Sequence, residues 1–172
     1  MFRAVILLDA PILSRFQGSA LAFVKRIGLI DRVTLAGTTR GRRREWPSAE
    51  AALEHLRPKP LFRHFDQRCL DDYIRFGTEA HSGGVRLVFD TEIEYSIYRT
   101  LPHDIARFAR RLQMPAGLIA GTRSDLLERV SLRTSSAHFT IASIEGGHLF
   151  PFEHPEAAAR AVTDMARRLS TL

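Results

Sequence analysis

The sequence predicts an α/β fold in which three parallel strands are flanked by helices. Three short apolar runs lack polar alternation, which is typical of strands buried on both faces; they cover residues 3–8, 116–121 and 139–144. From about residue 103 onward the pattern alternates between helical periodicity and apolar runs. That alternation is characteristic of α/β proteins.

The boundaries of these elements follow from their flanking residues. The three apolar runs end at Asp9-Ala10-Pro11, at the polar stretch 122–125, and at Glu145-Gly146-Gly147. Residues 104–112 place apolar side chains on one face and arginines opposite, and residues 155–169 form a second apolar stripe behind Pro155, a residue favoured in a first helical turn. Each strand is therefore expected to lead into a polar turn at the same edge of the sheet.

The residues between the first two strands have a different pattern. Four segments have helical periodicity, at residues 19–27, 48–56, 66–76 and about 92–99, and one short apolar patch covers residues 85–89. A gap of this length greatly exceeds a normal strand–helix–strand crossover. We therefore predict a core made of residues 1–10 and 102–172, and a mostly helical insertion at residues 11–101.

Composition excludes several classes of protein. The chain has 172 residues, of which 45% are hydrophobic and 26% charged, and no run approaches the roughly 18 apolar residues of a membrane span. The opening apolar run is too short for a secretory signal, and the single cysteine, Cys69, cannot form an internal disulfide. We expect a cytoplasmic protein without membrane contact.

The net charge of +6 raises the question of nucleic-acid binding. All but two of the 25 basic residues are arginine, which indicates a compositional bias rather than a phosphate-binding surface. One cluster, Arg40 with Arg42–Arg44, is diluted by nearby glutamates and lacks interleaved aromatic residues. The sequence thus argues against nucleic-acid binding. Binding of an acidic partner through arginines is the weakest alternative.

Two loops at strand ends carry groups suited to catalysis. Glycines just before His148 allow a sharp turn that presents its imidazole at the sheet edge, where open α/β sheets place their sites. Asp125, after the preceding strand, is the first candidate to accept a hydrogen bond from Nδ1–H of that ring and leave Nε2 free as a base. Asp9, after the first strand, is the alternative acid. No histidine or cysteine spacing predicts a metal site, and no cofactor motif is present.

These motifs resemble a known family. The relevant segments are Pro115-x-x-Leu118-Ile119-x-Gly121-x-x-Ser124-Asp125 and Gly146-Gly147-His148-Leu149-Phe150-Pro151-x-Glu153-x-Pro155. They resemble the C-terminal half of an α/β-hydrolase, in which the acid follows the seventh strand and the histidine follows the eighth. The opening residues 2–11 are similar to the sixth strand, and the insertion then corresponds to a cap. The resemblance implies that His148 is the general base and acid, with Asp125, or alternatively Asp9, as the acid of the triad.

One departure from the family limits this assignment. The nucleophile elbow Gly-x-Ser-x-Gly is found nowhere in the sequence, and the first five strands of the family are missing. We therefore expect a hydrolase segment that carries the histidine and the acid but no nucleophile, and that is inactive alone. The resemblance implies that the nucleophile of the complete enzyme is Ser or Asp and that its substrate is a small molecule. The alternative is a non-catalytic remnant, or a module that completes a sheet with a partner chain. In either case the first strand is an open edge through which the chain self-associates or binds the missing half.

Overall fold

The computed structural model describes residues 2–10, 15–34, 41–103, 111–125 and 139–171. Its elements, in chain order, are β1 (Val5–Leu8), α1 (Arg15–Arg26), α2 (Ile30–Val33), β2 (Glu45–Trp46), α3 (Ala49–Leu56), α4 (Gln67–Gly77), β3 (Thr78–His81), β4 (Gly84–Leu87), α5 (Thr91–Thr100), β5 (Ala116–Gly121), β6 (Thr140–Ile144), α6 (Phe150–Glu153) and α7 (Pro155–Ser170). Most of the predicted helix at residues 104–112 lies outside the described residues. None of the described helices is both long enough and apolar enough to cross a membrane.

The chain divides into two compact units. One unit contains Met1–Ser19 and His103–Leu172, and the other contains Ala20–Pro102. The division falls within α1, several residues later than the boundary expected near residue 11.

The first unit contains the predicted parallel sheet. Its strand order is β1-β5-β6, with Val5 opposite Ala116 and Gly117 opposite Thr140. Every residue of β5 is buried, because this strand has a neighbour on each side and side chains packed on both faces. The three apolar runs are thus confirmed as three adjacent parallel strands.

Helix α7 covers one face of this sheet. Met165 and Leu169 of α7 pack with Ile119 of β5 and with Phe150, all of them buried. The helix lies so close to β5 that a Cβ on Gly117 would be 2.7 Å from the Met165 side chain. Burying each of these large side chains contributes about 1.5–3 kcal/mol, so this layer is a main source of stability in the first unit.

The second unit is built around its own small sheet. Its strands are antiparallel in the order β2-β4-β3, and β3 and β4 form a hairpin. The two turn residues, Ser82 and Gly83, have φ values of 46° and 80°, which matches the type I′ turns that favour tight hairpins. A buried cluster lies against this sheet, made of Trp46, Ala52, Leu56, Phe62, Leu70, Ile74 and Leu87.

This sheet adds three short strands to the predicted helical insertion. The predicted helices are present as α1, α3, α4 and α5, and Ser48 caps α3 through a hydrogen bond from the Ala51 amide. Strand β3 was missed because Thr78–His81 is polar, and strand formation there depends on pairing with β4 rather than on apolar alternation.

Candidate active site

The carboxyl ends of the three parallel strands bring three loops to one edge of the first unit. Asp9 directly follows β1, residues 122–125 follow β5, and the Gly146-Gly147-His148 segment follows β6. The strands are parallel and adjacent, so their carboxyl ends lie side by side. Side chains distant in sequence can therefore form one site.

Asp9 is held at this edge by its backbone. Its φ of 43° lies in the left-handed region, which Asp tolerates better than most residues, and its amide donates to the Ile119 carbonyl at 2.7 Å. The residue is only 2% exposed. A charged side chain is rarely buried to this extent unless it is paired.

The partner of this carboxylate is His148. Nδ1 of the ring lies 2.8 Å from Oδ2 of Asp9, and the His148 side chain is 57% exposed while that of Asp9 is 1% exposed. Because an ionised carboxylate only accepts hydrogen bonds, this contact places the proton of a neutral ring on Nδ1. Nε2 is then left as the acceptor, which is the arrangement that a general base requires.

The carboxylate in contact with His148 thus belongs to Asp9, the alternative acid, rather than to Asp125, the first candidate. The amide of Ser124 donates to the Gly121 carbonyl at 3.0 Å, so the chain turns tightly after β5. This turn places Ser124 Oγ 2.5 Å from Asp9 Oδ2, and Ser124 is buried whereas Asp125 is exposed. A helix-capping role for Asp125 would involve Leu126, which lies outside the described residues.

Glycines allow the histidine loop to approach β5 closely. A Cβ on Gly121 would lie 2.2 Å from the Gly147 carbonyl oxygen, and Gly146 has a φ of 139°. A side chain at either position would displace the loop that carries His148. The Gly-Gly-His pattern thus has a direct structural cause.

Glu153 and Arg123 join the loops that follow β5 and β6. Oε1 of Glu153 accepts from the Gly147 amide at 3.0 Å, and its Oε2 lies 2.8 Å from Nη2 of Arg123. The Arg123 amide in turn donates to the Gly146 carbonyl at 2.9 Å. Glu153 was recognised in the sequence as part of the histidine motif, but no role was predicted for it. Its short spacing from Gly147 along one tight loop was the signal that could have indicated this contact.

The sequence matches no family profile and no curated protein sequence. Solved structures are similar, however: E-2-(acetamidomethylene)succinate hydrolase has a TM-score of 0.70 at 17% identity, over 96% of this chain and 57% of that one. The thioesterase domain from the curacin biosynthetic pathway has a TM-score of 0.65 at 16% identity, over 94% of this chain and 58% of that one. An esterase from Mycobacterium tuberculosis has a TM-score of 0.56 at 19% identity, over 94% of this chain and 54% of that one.

The chain has part of the α/β-hydrolase fold. It spans slightly more than half the length of each of these structures. The predicted resemblance in fold is thereby confirmed. At these identities the likeness extends to the fold alone, and the chemistry has to be argued from the side chains.

Other potentially reactive groups of the chain are less suited to catalysis. Burial raises the pKa of the Cys69 thiol, so it stays protonated near neutral pH and is a poor nucleophile. Within the described ranges, no group of three or more His, Cys, Asp or Glu side chains could hold a metal ion.

The arginine cluster is partly neutralised by carboxylates in the second unit. Arg42 Nη2 lies 2.8 Å from Glu94 Oε2, and Arg44 Nη1 lies 3.6 Å from Asp90 Oδ1. Arg40 lies outside the described residues. Paired arginines have less charge available for phosphate.

A cleft of about 310 Å³ opens in the second unit between β2 and the hairpin turn. Its polar lining includes Glu45 and His81, whose Oε1 and Nε2 atoms lie 3.5 Å apart. Neither residue was singled out from the sequence, and this pair lies in the other unit from Asp9 and His148.

Proposed function

We propose that this chain supplies the histidine and the acid of a hydrolase that cleaves esters or related acyl bonds. The observation that carries the proposal is the contact of 2.8 Å between His148 Nδ1 and the buried Asp9 carboxylate. The buried Asp9 carboxylate and the exposed His148 ring together provide an oriented base that faces solvent. The similarity of the fold to a thioesterase, an esterase and other hydrolases supports the choice of reaction class.

Each residue has a defined role in this proposal. Nε2 of His148 removes the proton of a nucleophile as it attacks a substrate carbonyl, and the same proton later passes to the leaving group. Asp9 stabilises the imidazolium that forms between these steps and keeps the ring in the productive orientation. If the nucleophile is Asp rather than Ser, His148 instead activates the water that hydrolyses the covalent intermediate.

The nucleophile is proposed to come from polypeptide outside these 172 residues, because the sequence contains no Gly-x-Ser-x-Gly elbow. We propose that this polypeptide, in the same protein or in a partner, continues the sheet beyond β1. Among the described residues β1 pairs with β5 alone, which leaves its other edge for such a strand. The substrate is a small molecule, and the single cysteine supports a cytoplasmic location.

The test begins with the DNA upstream of the Met1 codon. An in-frame Gly-x-Ser-x-Gly there identifies the longer polypeptide to express, and its turnover of p-nitrophenyl esters is then measured. We expect His148→Ala to lower kcat/KM by about 10⁴-fold, because both proton transfers depend on this ring. His64→Ala, at an exposed histidine of the second unit, is the matched control and should leave turnover unchanged. Equal turnover in the wild type and His148→Ala would overturn the proposal.

The alternative is a non-catalytic module whose open β1 edge completes the sheet of a partner chain. It predicts that no Gly-x-Ser-x-Gly elbow is encoded in frame upstream of Met1 and that none occurs in a co-purifying protein. It also predicts ester turnover no faster than buffer in every preparation.

A further inference from the structure

The Asp9 carboxylate receives three hydrogen bonds, and two of them come from the turn after β5. The Gly121 amide donates to Oδ1 at 3.3 Å, and Ser124 Oγ lies 2.5 Å from Oδ2. The third partner is His148 Nδ1, which also uses Oδ2. One four-residue turn therefore holds both oxygens of the carboxylate that orients the histidine.

We propose that Ser124 is a positioning residue for the Asp9–His148 pair, an inference that rests on the proposed function. The hydroxyl must act as the donor, because an ionised carboxylate has no proton to give. Ser124 is 7% exposed and its amide is bonded to the Gly121 carbonyl, so the hydroxyl approaches Oδ2 from a fixed direction. Ser124 Oγ and His148 Nδ1 contact the same oxygen, so the Ser124 hydroxyl determines the direction in which Oδ2 faces.

The physical need for this second donor lies in the freedom of the Asp side chain. The terminal torsion of Asp is broad and roughly two-fold, so a carboxylate held by fewer contacts rotates more easily. The Gly121 contact, at 3.3 Å, is long for a hydrogen bond and holds only Oδ1. Without Ser124, Oδ2 turns away from Nδ1 for part of the time and the ring loses its fixed tautomer.

The tautomer of His148 is the direct readout, and it needs no substrate or nucleophile. Solid-state ¹⁵N spectra of the histidine-labelled chain, at alkaline pH where imidazole is neutral, distinguish Nδ1–H from Nε2–H in particles of any size. We expect Nδ1–H in the wild type. In Ser124→Ala the ratio of Nδ1–H to Nε2–H should fall by about tenfold, the lower limit expected for losing a hydrogen bond to a charged group.

Several variants make the result specific. Ser124→Thr keeps the hydroxyl and should keep the wild-type ratio, while Ser124→Cys, with a weak donor, should give an intermediate ratio and serves if Ser124→Ala does not fold. Asp9→Ala sets the value for a ring without its acid. Ser143→Ala, at an exposed serine on β6, is the matched control and should change nothing.

Two results would overturn the inference, and they are distinguishable. A wild-type ratio in Ser124→Ala together with loss of the ratio in Asp9→Ala would leave the Asp9–His148 pair intact and show that Ser124 has no positioning role. Absence of the Nδ1–H preference in the wild type itself would remove the pair, and the proposed function with it.

Discussion

Glu153 shows how a side chain without a chemical role can support the site. It is mostly buried, and its two oxygens contact the Gly147 amide and the Arg123 guanidinium, which belong to two different loops. Arg123 is itself half-exposed, so solvent screens part of this ion pair. The hydrogen bond to the amide beside His148 is the contact that water can least easily replace.

Removal of this carboxylate should destabilise the first unit. We expect Glu153→Ala to lower the free energy of unfolding by about 1–2 kcal/mol, because the partly buried Gly147 amide and a guanidinium both lose a charged partner. Glu153→Gln retains an acceptor for the Gly147 amide and should cost about half as much. Urea denaturation measures both, with Glu156→Ala at an exposed position as the control. Equal midpoints for Glu153→Ala and Glu156→Ala would show that the connection between the loops is not needed.

The identity of the acid also depends on backbone detail at the scale of single residues. Both Asp9 and Asp125 follow a predicted strand, and sequence pattern alone does not distinguish them. The distinction comes from the left-handed φ of Asp9 and from the turn that directs Ser124 inward. These conformations depend on strand pairing across more than a hundred residues, so a local pattern carries little information about them.

Strand β5 shows how tightly an element constrains its neighbours. Gly117 faces the flexible Met165 side chain, whereas Gly121 faces the backbone carbonyls of Gly146 and Gly147. A methyl group at Gly117 would therefore meet a flexible side chain, whereas a methyl group at Gly121 would meet backbone atoms. Side chains can change rotamer at low cost, but a hydrogen-bonded loop cannot shift without moving His148.

The two glycines should accordingly differ in their tolerance of alanine. We expect Gly121→Ala to destabilise the chain by about 3 kcal/mol and Gly117→Ala by about 1 kcal/mol, as measured by thermal or urea unfolding. Gly41→Ala, where nothing lies within 4 Å of the added methyl group, is the control for glycine replacement. If Gly117→Ala proved the more costly of the two, the close approach of the histidine loop to β5 would be wrong.

Sequence pattern predicted elements well where burial alone determines them. The apolar runs of β1, β5 and β6 fit few structures other than buried strands. The capping residues Ser48 and Asp66 mark where α3 and α4 begin. It failed for β3, whose polar residues pair with β4 through the backbone. An edge strand of this kind has no periodicity of its own to detect.

At the scale of the whole molecule, one edge of β1 has no partner strand among the described residues. The Val5 amide donates to the carbonyl of Pro115, just before β5, and the Asp9 amide donates to the carbonyl of Ile119 within β5. Because backbone groups alternate in direction along a strand, Ile6 and Leu8 direct theirs away from β5. Leu8 is 40% exposed. Along the described strand, no charge or bulge discourages association with another edge.

The chain should therefore self-associate. Sedimentation velocity is expected to show an average mass that rises with concentration. Leu8→Pro removes an outward-facing N–H without touching the bonds to β5, and should shift the distribution toward monomer. A wild-type chain that is a monodisperse monomer with a cooperative calorimetric transition would contradict the idea of an incomplete sheet.

Asp9 and His148 are proposed to form the acid–base pair of a hydrolase. Ester turnover by the polypeptide that includes the nucleophile tests it most directly, through the effect of Asp9→Asn compared with Asp125→Asn on kcat. Loss of the orienting carboxylate should lower kcat by about 10³–10⁴-fold for Asp9→Asn, while Asp125→Asn, at an exposed carboxylate, should change it less than about threefold. A large loss in Asp125→Asn with near-normal turnover in Asp9→Asn would show that Asp9 is not the acid of this pair.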